Sequence, residues 1–405
     1  LNHAVHFALG VVVHHGGVGA VSGDGIKAVL KIAGHFGAAL LQHLFNVGLV
    51  QGLALGDGLF QVHLEAHHGN AVTHGVGLWY MDLKRNTFRH PALVEAVGRM
   101  RRAADLALAR DRAHRSEVAV VSNVESEFYM GYRRTEANNM GEMLYLQQMG
   151  AFYRAGAPFD WYLVEDLDAV RARNYKVVVF LDCQYLTDKQ RRAVDALKAQ
   201  NRTLVFFHAP GYVSETSLSR ARMESVCGVK MKPGTVRGVC SAIDAATGRE
   251  WGCGLTHPID GVGDRPRGVR HRTPGTAQRG LFLPAEGRTL MTGVGDLAGV
   301  PVAVERAQTG WTGVFSALPA LAPDVLRRLY RAAGVHVYTD ADVVLSANAS
   351  WVMLHTRARG AYTVYLPRRV ARVTDVTCDK VVATNTDRFT YPLEKFQTTV
   401  LLLDD

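Results

Sequence analysis

Residues 117–207 alternate strand and helix patterns so regularly that they constrain the fold of everything around them. EVAVVSN (117–123) is a β-branched apolar run, NNMGEMLYLQQMGAFYRAG (138–156) repeats its apolar residues at helical spacing and closes on a glycine, and residues 159–164 return to a strand pattern. A second unit follows directly. KVVVFLDC (176–183) reads as a strand buried on both faces, residues 187–200 as a helix opened by Thr187 with Gln190 three positions on, and TLVFFH (203–208) as the next strand. Strands joined through single helices run parallel, because the helix returns the chain to the same end of the sheet. The expectation is an α/β fold, a parallel sheet with helices on both faces.

The flanks have different textures. Residues 1–75 contain no Pro, Arg, Tyr, Trp or Cys and crowd Gly and His together, as in HHGGVGAVSGDG and HLEAHHGNAVTH. A break that sharp suggests a mis-framed or truncated gene start. Apolar periodicity at 26–41 and 44–55 would allow helices, but each interior glycine costs about 1 kcal/mol against alanine, so no fold is assigned there. HGVGLWYMDL (74–83) reads as a buried strand, and Pro91 opens a helix running from 92 to about 111 whose arginines form a solvated face. Beyond residue 229 come strand-like pieces at 236–243, 281–283 and 289–292, a Gly/Pro/Arg-dense loop at 248–278, strands at 301–305 and 311–316, and a helix at 323–333 ended by Gly334. Residues 340–405 alternate with a period of two at 343–346, 351–356, 362–366, 370–377 and 398–403, which is a small antiparallel β module.

A chain of 405 residues exceeds one core and divides into two or three domains. The expected boundaries are 1–75, 76–115, 116–338 and 339–405. The net charge of +9 would permit an acidic partner, but the arginines are spread along the chain without a nucleic-acid module, so no nucleic acid is expected. Five cysteines, odd in number and never spaced C-x-x-C, argue against a disulfide framework or zinc ribbon and fit a reducing, cytoplasmic setting. Neither a membrane span nor a signal peptide is expected.

Three pieces together resemble β-galactosidase-like enzymes of glycoside hydrolase family 42. LWYMDLKRNTFRHPALVEAVGRMR (78–101) resembles the last strand and helix of their catalytic barrel. The run from EVAVVSNVESEFYM through AGAPFDWYLVEDLD and NYKVVVFLDCQYLTDKQRRAVDAL to TLVFFHAPGYV resembles their flavodoxin-like trimerisation domain. Residues 343–405, with LPRRVARVTDV, are similar to their C-terminal β domain. The resemblance covers roughly residues 76–405 and implies self-association as a homotrimer, with carbohydrate as the ligand of a complete barrel. Family members use two glutamates about 5 Å apart, the acid/base one following an asparagine. No Asn-Glu dipeptide occurs in this chain and Glu65 is the sole glutamate before Glu95. As written, the chain is not expected to cleave a glycosidic bond, and a non-catalytic oligomerisation or carbohydrate-binding module is the competing reading.

Trp79, Tyr80 and Asp82 stand where the last barrel strand would open into a sugar site, and are the candidate substrate-binding residues. Cys183 and His208 end successive strands, so a Cys-His pair resembling glutamine amidotransferases is a further candidate, although LDCQY lacks the glycines of a nucleophile elbow. His63, Glu65, His67, His68 and His74 could be read as metal ligands, but their H-L-E-A-H order departs from H-E-x-x-H. GGVGAVSG (16–23) imitates a dinucleotide loop with no acidic residue about twenty positions on for the ribose. No metal or cofactor is therefore expected.

Overall fold

A computed structural model describes residues 57–77, 91–129, 143–234, 239–256, 281–318 and 321–405. The helical patterns at 26–41 and 44–55 and the glycine run at 16–23 lie outside them. The chain forms two compact units, one of residues 116–152 and 159–336, the other of three stretches: up to 115, 153–158 and 337–405.

Two helices open the discontinuous unit. α1 (Asp57–His74) occupies part of the segment to which the sequence reading assigned no fold, and His74 ends this helix instead of beginning a strand. α2 (Pro91–Leu108) starts at a proline, whose missing N–H is not needed in a first turn. It buries Leu93, Ala96, Met100, Ala103 and Ala107, a single stripe at spacings of three and four.

The larger unit carries β1 (Val118–Ser122), a π-helical segment (Met143–Gln148) running into α3 (Met149–Tyr153), β2 (Phe159–Leu163), α4 (Leu167–Ala172), β3 (Val177–Phe180), α5 (Asp188–Asp195) and β4 (Arg202–Phe207). It continues with α6 (Arg220–Cys227), β5 (Met231–Gly234), β6 (Val239–Asp244), β7 (Glu250–Thr256), β8 (Leu281–Pro284), β9 (Arg288–Gly293), β10 (Pro301–Gln308), β11 (Trp311–Ser316) and α7 (Pro323–Ala332). Nine strands form one sheet in the order β2-β1-β3-β4-β11-β10-β9-β6-β7. The first five are parallel, with Val118 beside both Phe159 and Val177, Val177 beside Thr203, and Arg202 beside Trp311. Every residue of β1, β3 and β4 is buried, which is why their sequences are apolar apart from Ser122, Arg202 and Thr203 at the strand ends.

The sheet is mixed, and the expectation of a purely parallel one is corrected. β10 and β11 are joined by the Thr309-Gly310 turn, too short for a crossover, so they pair antiparallel and the sheet continues that way through β9, β6 and β7. β7 also takes residues 250–256 from the stretch read as loop; residues 257–280 lie outside the described ones. α5 has the capping box read from the sequence: Gln190 N–H donates to Thr187 Oγ1 at 3.1 Å and Thr187 N–H to Gln190 Oε1 at 2.9 Å. It ends at Asp195, earlier than expected, tightening into i→i+3 turns at Leu197 and Lys198.

In the discontinuous unit β12 (Val343–Ala347), β13 (Trp351–Thr356), β14 (Gly360–Asp375), β15 (Lys380–Leu393) and β16 (Thr398–Asp404) make a sheet in the order β12-β13-β16-β14-β15. The pieces read at 362–366 and 370–377 belong to one strand, β14, broken by a bulge between Tyr365 and Val370. Leu345, Val352, Leu354, Val364 and Leu401 are among its buried core, and each such side chain contributes about 1.5–3 kcal/mol on burial.

α1 lies on this sheet. The hydroxyls of Thr73 and Ser346 are hydrogen bonded at 2.8 Å, Asn348 Nδ2 donates to Thr73 O at 2.8 Å, and Ser346 Oγ stands 3.1 Å from His74 Nε2. Helix and strand approach so closely that a Cβ on Gly69 would stand 2.5 Å from Met353 Cγ.

Candidate functional site

In an open parallel sheet, ligands bind beyond the carboxyl ends of the strands where the strand order reverses. Here that point lies between β1 and β3, from which successive strands step outward in opposite directions. The sequence places polar residues at both strand ends, directly after fully apolar runs: Ser122-Asn123 on one, Asp182-Cys183-Gln184 on the other.

These residues form a bonded cluster. Asp182 Oδ1 accepts the Asn123 backbone N–H at 2.7 Å, and the Tyr145 hydroxyl bonds its other oxygen. Asn123 Nδ2 donates to Tyr185 O at 2.6 Å, and Ser126 Oγ accepts the Tyr185 N–H at 3.1 Å. The Trp161 indole N–H donates to Ser122 Oγ at 2.9 Å. Above this base the rings of Tyr129 and Tyr185 stack with centroids 4.2 Å apart. Desolvation, then the hydrogen bond to Tyr129, pushes the Tyr185 hydroxyl up to about 12. Gln184 is 3% exposed, and neither its amide nitrogen nor its amide oxygen has a hydrogen-bond partner among the described residues.

Cys183 belongs to the same edge. Its thiol is buried, and desolvation, reinforced by Asp182, raises its pKa well above the ordinary value. A nucleophilic thiol needs the opposite shift. His208 follows β4 with φ +58, a left-handed conformation that non-glycine residues seldom adopt, and its N–H donates to Ser316 O at 2.7 Å.

The histidine-rich segment is dispersed along α1. Glu65 pairs with Arg99 at 3.3 Å, His74 faces Ser346, and His68 is buried with its Nε2 unbonded, desolvation lowering its pKa to about 4. The His63 side chain lies outside the described ones. Among the described residues no group of three His, Cys, Asp or Glu is placed to hold a metal, and no described helix is long and apolar enough to cross a membrane. Trp79, Tyr80 and Asp82 lie outside the described residues.

The sequence reading missed Asn123, Tyr145 and Gln184. The signal that could have found them is two adjacent buried strands that each end in side-chain amides or carboxylates.

Solved structures of similar fold include β-galactosidases. The chain aligns with β-galactosidase from Bacillus circulans sp. alkalophilus at a TM-score of 0.53 and 14% identity, over 80% of this chain and 46% of that one. A catalytic mutant of Gan42B, a GH42 β-galactosidase from G. stearothermophilus, aligns at 0.53 and 13% identity, over 84% of this chain and 51% of that one. The cold-adapted β-galactosidase from Rahnella sp. R3 gives 0.53, 13%, 84% and 51%. The chain thus has a β-galactosidase-like fold and spans about half the length of these proteins. Neither a protein-family model nor a curated protein sequence matches it.

Proposed function

We infer that this chain is part of a β-galactosidase-like glycoside hydrolase of carbohydrate metabolism, contributing a flavodoxin-like trimerisation domain and a C-terminal β domain. The observation that carries the reading is the fold shared with GH42 β-galactosidases over 84% of the chain. The order β2-β1-β3-β4-β11 supports it, being the 2-1-3-4-5 order of flavodoxin-like sheets. Trp79, Tyr80 and Asp82 are the residues assigned to sugar contact in the complete barrel. The catalytic glutamates are not among the residues of this chain, which acts as the assembly and accessory part, self-associating as a trimer. Unpaired Cys183, Cys227 and Cys378 suit a cytoplasmic setting.

Assay of the purified chain with aryl β-galactosides tests the catalytic half of this reading. No turnover above buffer is expected, and a rate abolished by one carboxylate substitution within the chain overturns it. Light scattering coupled to size exclusion tests the assembly half. A trimer is expected, and a monodisperse 44.3 kDa monomer overturns it.

A further inference from the structure

α2 buries one stripe and leaves the opposite one in solvent. Val94, Gly98, Arg101, Asp105 and Leu108 recur at spacings of four, three, four and three, which places them on one line along its outer face. The apolar ends of that line are bare, Val94 being 57% and Leu108 71% exposed. A glycine stands inside it although no contact within the chain requires one. A Cβ on Gly98 would meet no atom within 4 Å, and an interior helix glycine costs about 1 kcal/mol against alanine. Arg101 and Asp105 gain little where they are. Their side chains are 83% and 66% exposed and their charged atoms are 3.9 Å apart, a surface pair of the kind that contributes about 0–1 kcal/mol.

From Gly98 to Leu108 the spacings are three, four and three, which read the same from either end. A second copy of the helix laid antiparallel about a two-fold axis therefore sets Gly98 opposite Leu108 and Arg101 opposite Asp105, each of them twice. We propose that this stripe is a self-association surface whose occupant is the same stripe of a second chain. Leu108 of each copy fills the open space above Gly98 of the other, where a larger side chain would hold the helices apart. The crossed Arg101–Asp105 pairs set the antiparallel direction, because a parallel two-fold pairing would bring like charges face to face. A contact of this form is isologous and closes on itself. One helix face is smaller than the ~1,200–2,000 Å² buried in stable complexes, so the contact is weak and forms at protein concentrations on the order of 0.1 mM. It doubles whatever species is present and does not rest on the trimer reading: monomers become dimers, and trimers become pairs of trimers.

Sedimentation velocity of the full chain over a concentration series at low salt is the test. The weight-average mass is expected to rise toward twice its dilute value. Arg101→Asp sets acid against acid and Asp105→Arg sets base against base, and each is expected to weaken the doubling about ten-fold or more. Combining the two restores opposite charges and is expected to restore the doubling. Leu108→Glu, at a side chain mostly in solvent, and Gly98→Leu, at a position with open space above it, leave the core intact and should each abolish it. A mass that stays at its dilute value across the series overturns the proposal. So does doubling that Arg101→Asp leaves intact, or that the combined reversal fails to recover, since either places the contact on another surface. The dilute mass reports on the trimer reading and the doubling on this one, so the failure of either is seen separately.

Discussion

Asp182 Oδ1 accepts the Asn123 backbone N–H at 2.7 Å, so a single carboxylate ties the end of β3 to the end of β1. Its other oxygen takes the Tyr145 hydroxyl. Asp182→Ala leaves a buried N–H and a hydroxyl without their acceptor and is expected to destabilise the sheet unit by about 3 kcal/mol, since bonds to a charged group contribute about 1.5–3 kcal/mol each. Asp182→Asn keeps an acceptor oxygen and costs less. Because the chain has two units, one whole-chain midpoint is not a defined quantity. Amide exchange in β1 and β3 is the measurement, and protection unchanged in Asp182→Ala would refute the assignment.

Two helix glycines should respond to alanine with opposite signs. At Gly98 on α2 a Cβ meets nothing within 4 Å, so Gly98→Ala should stabilise by about 0.8–1 kcal/mol through helix propensity alone. At Gly69 on α1 the same Cβ stands 2.5 Å from Met353 Cγ and 3.2 Å from Val400 Cγ2. Helix and sheet must then separate, and overpacking of this kind costs about 1–3 kcal/mol. Amide exchange in α1 and α2 of the two variants checks it; stabilisation by Gly69→Ala would show that α1 does not dock as described.

His68 makes the discontinuous unit acid-sensitive. Burial holds its pKa near 4 against an ordinary 6.5, so between these values the unfolded chain binds a proton that the folded chain refuses. Stability is therefore full above about pH 6.5 and falls toward pH 4, by about 3 kcal/mol at 1.36 kcal/mol per unit. A cavity of about 20 Å³ adjoins the ring, lined by Glu65 of α1, Arg99 and Met100 of α2, and Thr377 and Val400 from the sheet side. It is large enough for one water. Asp342, which Arg154 and Arg357 hold ionised against the penalty of burial, adds acid sensitivity of its own, so the comparison must be differential. His68→Leu should flatten the pH dependence between 6.5 and 4. Superimposable slopes for the two proteins would refute the assignment.

Thiol labelling separates structural from accessible cysteines. Cys378 is exposed, whereas Cys183 and Cys227 are buried and desolvation raises both, Cys227 to about 12. Iodoacetamide at neutral pH should label Cys378 in the native protein and reach Cys183 only on unfolding. Fast native labelling of Cys183 would restore the amidotransferase-like reading.

What the sequence disclosed was whatever local pattern and burial agree on. The strands at 118–122, 177–180 and 202–207 were legible because both faces are buried and their polar residues, Ser122, Arg202 and Thr203, sit at the ends. The Thr187/Gln190 box and the end of α7 before Gly334 were legible because capping is local chemistry. β15 was not. As an edge strand exposed at Lys380, Val381 and Asn385, KVVATNTDRFTYPL shows no clean alternation, and its place depends on pairing with β14. α1 was hidden because its glycines and histidines argue against a helix, and only the sheet beneath Gly69 explains why a side chain is unwelcome there.

The docking of α1 also sets an order of events in synthesis. Thr73 and Ser346, which meet through their hydroxyls, are 273 residues apart in the chain. At roughly 5–20 residues per second, the ribosome emits the partner strand about a quarter of a minute to a minute after the helix. Throughout that interval the face of α1 that carries Gly69 and Thr73 lacks the sheet it docks on, while the sheet unit, whose strands lie between them in sequence, can already close. α1 thus waits for the sheet on which it docks while the strands between the two are made, and its seat is completed only after theirs.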